Sequence, residues 1–403
     1  MSANDSLLQR YAELTVRVGL NVQPGQRLCV NGQLEHAELA RAVAREAYKA
    51  GAAWVDVYLT DQHVKRAHIE YASDESLEYS PPWLVKRLDD LGADGGALLG
   101  ITGNPEPEIF ADLDGSRVAK ARMRKVSEAS LRLTDGACNW CIVAFPNVGW
   151  ATTVFGEPDV DRLWQAVATA VRLDEDDPVA AWQEHIAKLS RRADTLNACR
   201  FDALHFVGPG TDVKVGLLPG SKWLAALERS NGIDHVANMP TEEVFTSPDA
   251  RRVDGYVSAT YPLQLHGTIV RGLKVRFEGG RAVEITADTG EDLMRQHAAS
   301  DDGAARLGEV ALVDNDSRVG KTGLVFYDTL FDENAASHIA LGMAFPGTAE
   351  GASALTPEER HERGVNHSSI HTDFMIGSPE LDVFGVDADG SETPILRQGD
   401  WVL

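Results

Sequence analysis

The chain runs RLCVNG (residues 27–32), then HAELARAVAREAYKAG (36–51), then AAWVDVYL (52–59). The first and third segments are short and apolar, which is typical of buried strands. The Ala-rich segment between them ends at Gly51 and predicts a helix. A strand, a helix and a second strand in this order require parallel strands joined by a right-handed crossover. These residues therefore predict an α/β domain built on a parallel sheet.

The organisation of the chain changes at about residue 200. Strand and helix patterns alternate up to there, and the amphipathic stretch 178–198 predicts a long helix between two domains. Strand patterns with turn residues dominate afterwards, and Gly279-Gly280 predicts a hairpin. A chain of 403 residues is long enough for two domains. We predict the α/β fold class, with an N-terminal α/β domain over 1–198 and a mixed α+β domain over 199–403.

Composition excludes several classes of function. Hydrophobic residues make up 43% of the chain, and the formal net charge is −23. A protein this acidic repels nucleic-acid phosphates and anionic lipids, so we expect neither partner. The sequence lacks the roughly 20-residue apolar run of a membrane span, and its start does not resemble a signal peptide. With only four cysteines as well, we expect a soluble, cytoplasmic protein.

The clearest chemical motif is HTDF at residues 371–374. Side chains two apart on a strand point to the same face, so His371 and Asp373 would project together. An imidazole beside a carboxylate is a pair of ligands for Zn, Mn, Co or Fe. A histidine and an aspartate on a solvent-exposed edge strand would give the same pattern.

Three further segments carry acidic residues or histidine in unusual settings. Glu309 interrupts the apolar strand LGEVALV (307–313), which is costly unless the carboxylate has a partner or a metal. Glu243 lies in the loop MPTEEVFTSP (239–248), which could equally be a solvated acidic loop. In TLFDENAASHIALGMAFP (329–346), we predict a helix capped by Asp332 or Asn334 that begins near Ala335 and places His338 in its first turns.

Together these segments supply a set rich in carboxylates. Two divalent ions that share a bridging carboxylate need about that many ligands. The candidate metal ligands are Glu243, Glu309, His338, His371 and Asp373.

The blocks PTEEVFTSP, LGEVALV, LFDENAASHIALG and HTDFMIG occur in the order found in a known family. The chain resembles the thermophilic metalloaminopeptidases of the aminopeptidase T and aminopeptidase S type over nearly its whole length. The resemblance implies a two-domain α/β fold, a homodimer and a metal site in the C-terminal domain. It makes Glu243 the first ligand and Glu309 the bridging ligand. His338, His371 and Asp373 match the remaining ligands.

One position departs from the family pattern. The family has a tyrosine seven residues after the ligand histidine, whereas this chain reads ALGMAFP and has Phe345 there. A tyrosine hydroxyl at this place could donate a hydrogen bond to the developing oxyanion. The loss of one such donor typically costs about 10²–10³ in rate.

The resemblance implies hydrolysis of small peptides from the N-terminus with two ions of Zn, Co or Mn and no organic cofactor. Glu309, as the bridging ligand, and Glu333, as a candidate general base, are the predicted catalytic residues. Two other enzyme classes stay open. His338, His371 and Asp373 alone would suit a non-haem Fe(II) ring-cleaving dioxygenase acting on a hydroxylated pyridine. A hydrolase of a non-peptide C–N bond is the other, and a metal-stabilised binding protein is a third interpretation.

Overall fold

The computed structural model describes residues 3–121 and 123–403. The chain separates into two compact units. The first comprises Met1–Glu184, Leu227–Thr241 and His266–Thr268, and the second comprises the remaining segments His185–Ala226, Glu242–Leu265 and Ile269–Leu403. The domain boundary at residue 198 remains a prediction, because compactness alone does not show that either part folds by itself.

The helices, in chain order, are α1 (Ala3–Leu14), α2 (Ala37–Lys49), α3 (Gln62–Tyr71), α4 (Asp74–Leu77), α5 (Pro82–Ala93), α6 (Gly115–Lys120), α7 (Arg124–Arg132), α8 (Val148–Phe155), α9 (Val160–Ala170), α10 (Pro178–Cys199), α11 (Glu291–Ala298), α12 (Thr329–Asp332) and α13 (Pro357–Glu362). Over residues 3–121 and 123–403, none of them is long and apolar enough to cross a membrane.

The strands, in chain order, are β1 (Arg27–Gln33), β2 (Trp54–Thr60), β3 (Ala97–Thr102), β4 (Asn139–Ala144), β5 (Ala203–Gly208), β6 (Thr211–Leu217), β7 (Leu227–Ser230), β8 (Ile233–Val236), β9 (Asn238–Met239), β10 (Glu243–Thr246), β11 (Pro248–Ser258), β12 (Leu263–Leu265), β13 (Thr268–Val270), β14 (Lys274–Glu278), β15 (Arg281–Thr286), β16 (Leu307–Val313), β17 (His338–Gly342), β18 (His371–Met375), β19 (Asp382–Val386), β20 (Glu392–Arg397) and β21 (Asp400–Trp401).

The first unit contains a five-stranded parallel sheet in the order β2-β1-β3-β4-β9. Its first two strands pair in parallel with Val30 opposite Val57, and α2 is the connection between them. The predicted β-α-β unit is therefore confirmed. Apolar side chains of the inner strands, such as Val30, Leu99 and Val143, are fully buried.

The second unit contains two antiparallel sheets. Eight strands form one in the order β15-β14-β11-β6-β5-β19-β20-β21, and four form the other in the order β10-β16-β17-β18. The predicted hairpin at Gly279-Gly280 joins β14 to β15 and is confirmed. The helix predicted over 178–198 is also present as α10.

One face of the four-stranded sheet is apolar. Val310, Leu312, Ile339, Leu341 and Phe374 alternate with other residues along three of its strands and are buried in the main core cluster of this unit. Side chains of the eight-stranded sheet belong to the same cluster. The period of two along a strand then sends every intervening side chain to the opposite face. That opposite face contains the polar residues described below.

The predicted helix beginning near Ala335 is wrong. The chain forms α12, then a single 3₁₀ turn at Glu333–Ala335, and His338 begins strand β17. The segment after His338 alternates between core residues and small ones, and strand pairing on both sides satisfies its backbone. Asp332 does not cap a helix there, because its carboxylate accepts a hydrogen bond from the Phe326 amide at 2.7 Å.

Gly342 closes β17 and has a φ of +108°. A Cβ at this position would lie 2.1 Å from the Ile370 carbonyl oxygen, which belongs to the backbone and has little room to move. We predict that Gly342→Ala lowers the thermal unfolding midpoint, since strain of about 1–3 kcal/mol is typical of such a backbone conformation.

Gly347→Ala is the matched control, because Gly347 has open space around its Cβ position. Calorimetric unfolding of the two variants should show a lower midpoint for Gly342→Ala alone. Equal midpoints would contradict the close packing described at this strand end.

Candidate metal centre

All five candidate ligands lie on the polar face of the four-stranded sheet. Glu243 begins β10, Glu309 lies in β16, His338 begins β17, and His371 and Asp373 lie in β18. The structure thus brings together on adjacent strands the residues that the sequence spread over four separate motifs.

The strand register explains why they share one face. Ala340 is directly opposite Glu309 on one side and Asp373 on the other. Residues directly opposite each other in an antiparallel pair point to the same side of the sheet. Ala311 lies in the neighbouring row, opposite His338. Two alanines therefore form the floor among the larger ligand side chains and leave space above it.

The ligand atoms form two groups that share one residue. Glu243, Glu309 and His338 form one group, and Glu309, His371 and Asp373 form the other; within each group the atoms lie within 4.8 Å of one another. His338 Nε2 is 3.0 Å from Glu243 Oε2, and His371 Nε2 is 3.0 Å from Glu309 Oε2. The carboxylate of Glu309 is thus placed between two potential ion positions.

Backbone carbonyls orient both imidazoles. Nδ1 of His338 lies 3.2 Å from the Ala336 carbonyl oxygen, and Nδ1 of His371 lies 2.8 Å from that of Met343. A carbonyl oxygen can only accept a hydrogen bond, so Nδ1 of each ring must carry a proton. When the ring is neutral, its Nε2 lone pair then faces the carboxylates and is available to a metal.

Two carboxylate oxygens provide a direct test of whether a cation fits. Glu243 Oε2 and Asp373 Oδ1 are buried and have no hydrogen-bond partner among the described residues. Glu243 Oε2 lies 3.0 Å from His338 Nε2, and Asp373 Oδ1 lies 3.4 Å from His371 Nε2, so a protonated imidazole is the positive charge nearest to each in the metal-free protein. A buried anionic oxygen needs a positive partner, and a metal ion that displaces the imidazole proton can be that partner. The donor set therefore fits a divalent cation, and imidazole with carboxylate suits Zn, Co, Mn or Fe.

The pKa values show how strongly the acidic groups dominate this face. Burial lowers the pKa of His338, but the nearby carboxylates, Glu243 first, outweigh it and raise the value to about 10. The pKa of His371 is likewise well above its usual range because Asp373 and Glu309 overcome the effect of burial. Burial raises the pKa of Glu309, and the imidazole of His371 opposes that shift. Positive charge is thus strongly favoured here.

Glu333, the candidate general base, approaches the same cluster from the 3₁₀ turn. Burial raises its pKa well above the ordinary value, and the negative charges of Asp373 and Glu243 raise it further. Its interaction with His338 opposes this shift. Glu333 is therefore close enough to interact with the ligand set, yet it belongs to neither ligand group.

One supporting residue, Asn334, was not identified from the sequence as part of the site. Asn334 accepts a hydrogen bond from the Glu242 amide at 2.7 Å and donates one to the Leu330 carbonyl at 2.9 Å. It thereby ties the segment before Glu243 to the turn that holds Glu333. The sequence identified Asn334 only as a possible helix cap, and no local pattern indicates its distant partner.

Comparison with known proteins agrees with this geometry. The family model described as thermophilic metalloprotease (M29) matches residues 4–401. Aminopeptidase T of Thermus thermophilus is 44% identical, with 100% of each chain covered. The chain belongs to the M29 family of thermophilic metalloproteases. This M29 protein is accordingly a hydrolase that depends on a divalent metal.

Solved structures give the same result for the fold. The structure of wild-type AmpT from Thermus thermophilus matches this M29 chain with a TM-score of 0.92 and 42% identity over 100% of both chains. The predicted α/β fold class is therefore confirmed. A 2,5-dihydroxypyridine dioxygenase from Pseudomonas putida KT2440 matches with a TM-score of 0.53 and 11% identity, over 100% of this chain and 98% of that one. The second likeness shows a shared fold alone.

Metal binding to this site should release protons. Since the metal-free pKa of His338 is about 10, its imidazole is protonated at about pH 8, and the raised pKa of His371 favours the protonated form of that ring as well. Ligation through Nε2 requires the neutral ring, so binding displaces these protons. We predict that affinity falls as pH falls, by roughly tenfold per unit for each proton displaced.

Calorimetric titration of the metal-free protein with Zn²⁺, in two buffers of different ionisation enthalpy, measures the proton release. His205→Asn is a suitable control, because His205 contacts Glu392 and Asp212 outside the ligand set. It should release as many protons as the wild type, whereas His338→Asn should release fewer. Binding without proton release at about pH 8 would rule out the imidazoles as ligands.

Proposed function

We propose that the protein is an aminopeptidase that removes N-terminal residues from small peptides with the help of two divalent ions. The ions would be held by Glu243, Glu309, His338, His371 and Asp373. The observation that carries the proposal is the position of Glu309, which belongs to both groups of ligand atoms. A carboxylate that lies between two such groups is the arrangement expected of a bridging ligand.

Two bound ions would supply a water of lowered pKa and polarise the scissile carbonyl. The chain's own residues would then orient the substrate and move the protons. Nδ1 of each histidine stays hydrogen-bonded to a backbone carbonyl, which holds the Nε2 atoms in place. The apolar face of the same sheet anchors the ligand strands in the core, so the site is rigid before substrate arrives.

Glu333 is proposed as the general base. A base must be poised near the operating pH, and the raised pKa of Glu333 moves it in that direction. The carboxylate would take the proton of the attacking water and later deliver it to the leaving amine. Because Glu333 is in neither ligand group, it would be free to accept a proton.

Selectivity for a free N-terminus would come from the bound ions. The carboxylates of Glu243, Glu309, Asp373 and Glu333 would be balanced by the charge of two divalent ions, so acidity inside the site is not what selects the amine. A free substrate amine has a nitrogen lone pair that an ion could bind, whereas the nitrogen of an acetylated N-terminus is an amide and a poor ligand. The overall acidity of the chain would favour the approach of a cationic substrate at longer range.

Phe345 affects the expected rate. Its ring centroid lies 4.8 Å from that of His371, so the position adjoins the ligand set. A phenylalanine has no hydroxyl to donate to a developing oxyanion. We therefore propose that this chain is a slower peptidase than one with a tyrosine at this position. The loss of a single oxyanion donor lowers kcat by about 10²–10³, which sets the upper limit of the difference.

The dioxygenase alternative is less well supported. A mononuclear iron site needs three ligands, and His338, His371 and Asp373 would be sufficient for it. Glu243 and Glu309 lie in the same cluster and would have no function there. The structural likeness to the dioxygenase is one of fold. A hydrolase of another C–N bond would use the same two ions, so only activity assays with different substrates distinguish it from an aminopeptidase.

Several finer features belong to the proposal. The ions would be Zn, Co or Mn, because these suit imidazole and carboxylate ligands. The resemblance to the aminopeptidases supports a homodimer, which sedimentation equilibrium would test. The acidic composition and the small number of cysteines support a cytoplasmic location. Fractionation of the producing cells would test that part.

We predict two divalent ions per chain and cleavage of leucyl anilide but not of N-acetyl-leucyl anilide. The free amine is required because its lone pair would bind a metal ion, and acetylation turns that nitrogen into a poor ligand. Elemental analysis of the purified protein, run beside both hydrolysis assays and an oxygen-uptake assay, measures all of these outcomes.

The possible results separate the candidate functions. One iron per chain, with oxygen uptake on a dihydroxypyridine and no anilide cleavage, would replace the aminopeptidase with the dioxygenase. Two ions without cleavage of either anilide would point to a hydrolase of a different C–N bond.

Glu333→Gln should lower kcat by about 10²–10⁴ while both ions remain bound, because it removes a proton acceptor and not a ligand. The amide is close in size to the carboxylate, so the fold should be preserved. Steady-state kinetics with metal analysis of the same preparation measures both effects. Glu284→Gln, on exposed strand β15, is the matched control and should behave as the wild type. An unchanged kcat in Glu333→Gln would reassign the base.

A further inference from the structure

Two phenylalanine side chains border the polar face of the four-stranded sheet. Phe245 is two residues after Glu243 in β10, so both project to the face that contains the ligand set. Phe245 is also directly opposite Ala311, and Ala311 is directly opposite His338. The ring therefore lies in one row with a candidate ligand, separated from it by the small side chain of Ala311.

Phe345 completes an aromatic pair at this border. Its ring centroid is 5.9 Å from that of Phe245, with the planes inclined at 71°. On its other side it lies 4.8 Å from the His371 ring. The two phenylalanines thus form a continuous apolar surface next to ligand residues from both groups.

The exposure of this pair sets it apart from the core aromatic residues. Phe345 is 36% exposed and Phe245 is partly exposed, whereas Phe331 and Phe374 of the same unit are fully buried. A single exposed apolar side chain is common and needs no explanation. Two rings packed together beside a group of buried charges are different, since they offer apolar area that a ligand could cover.

Backbone hydrogen bonds hold both rings in place. The Phe345 amide donates to the Ser247 hydroxyl at 3.1 Å. Phe245 donates to and accepts from Leu224, at 3.0 and 2.9 Å. The aromatic surface is therefore formed before any ligand binds, which reduces the entropy cost of binding.

We propose that Phe245 and Phe345 form the subsite for the side chain of the substrate's N-terminal residue and that it selects apolar side chains. This inference rests on the function proposed above. With the scissile carbonyl at the ligand set, the adjacent side chain must lie within a few ångströms of it. The two rings offer neither a hydrogen-bond donor nor a positive charge to an acidic side chain, whereas they would bind leucine, methionine or phenylalanine.

The test compares kcat/KM for leucyl, alanyl and aspartyl anilides. We expect wild type to prefer leucine to alanine by at least roughly 10–200-fold, the range that one methylene in an apolar pocket provides. Phe245→Ala should reduce kcat/KM for the leucyl substrate about tenfold or more, mainly through KM. Its effect on the alanyl substrate should be smaller, because alanine does not reach the ring, so the leucine-to-alanine ratio of kcat/KM should fall.

Two further variants control for general damage. Phe345→Tyr keeps the ring and should keep the preference for leucine over alanine, whatever its effect on rate. Phe384→Ala removes a partly exposed phenylalanine that packs against His205 and Arg397, outside the site, and should leave the ratio unchanged. Metal analysis of each variant establishes that the ligand set is intact.

The outcomes separate this inference from the proposed function. An active wild type without a preference for leucine, or an unchanged leucine-to-alanine ratio in Phe245→Ala, would overturn the subsite and leave the aminopeptidase in place. A metal-loaded wild type that cleaves none of the three anilides would overturn the aminopeptidase, and the subsite with it.

Discussion

Acidic side chains buried on one face of a small sheet are the constraint on which the rest of the site depends. Glu243, Glu309 and Asp373 are withdrawn from water, and each buried charge costs several kcal/mol unless a cation reaches it. Two imidazoles on the same face compensate only in part, as their strongly raised pKa values show. The small residues of the floor leave the space that a cation requires. A protein that retains such a cluster is built to bind positive charge.

One face of this sheet packs in the core, and the other face carries the candidate metal ligands. The apolar face is buried in the core cluster of its unit and fixes the strands. The polar face carries the candidate ligands, whose strands are held in place by the packing of the opposite face. Backbone carbonyls beside His338 and His371 complete the arrangement, since they settle which nitrogen of each ring faces the carboxylates. Metal chemistry and folding thus depend on the same four strands.

The candidate site combines charged side chains with an apolar border formed by two phenylalanines. The resemblance to the aminopeptidases implies a tyrosine where this chain has Phe345, and the Phe345 ring packs between His371 and Phe245. The exchange removes a hydroxyl group and leaves an uninterrupted aromatic surface. A loss of rate through one missing donor and a gain in selectivity for apolar residues could therefore have the same structural origin.

The sequence by itself determined the parallel β-α-β unit, the hairpin at Gly279-Gly280 and the candidate ligands. These features are local, because strand alternation and short motifs are visible within a few residues. Its one clear error was the helix near Ala335. Asp332 and Asn334 are possible helix caps and led to that prediction, but the residues that follow form a short strand that pairs with a strand on each side. Only the tertiary structure placed Ala311 and Ala340 between ligands, and joined Phe245 to Phe345 and Asn334 to Glu242. Those relations depend on the register between strands far apart in the chain, which no local pattern specifies.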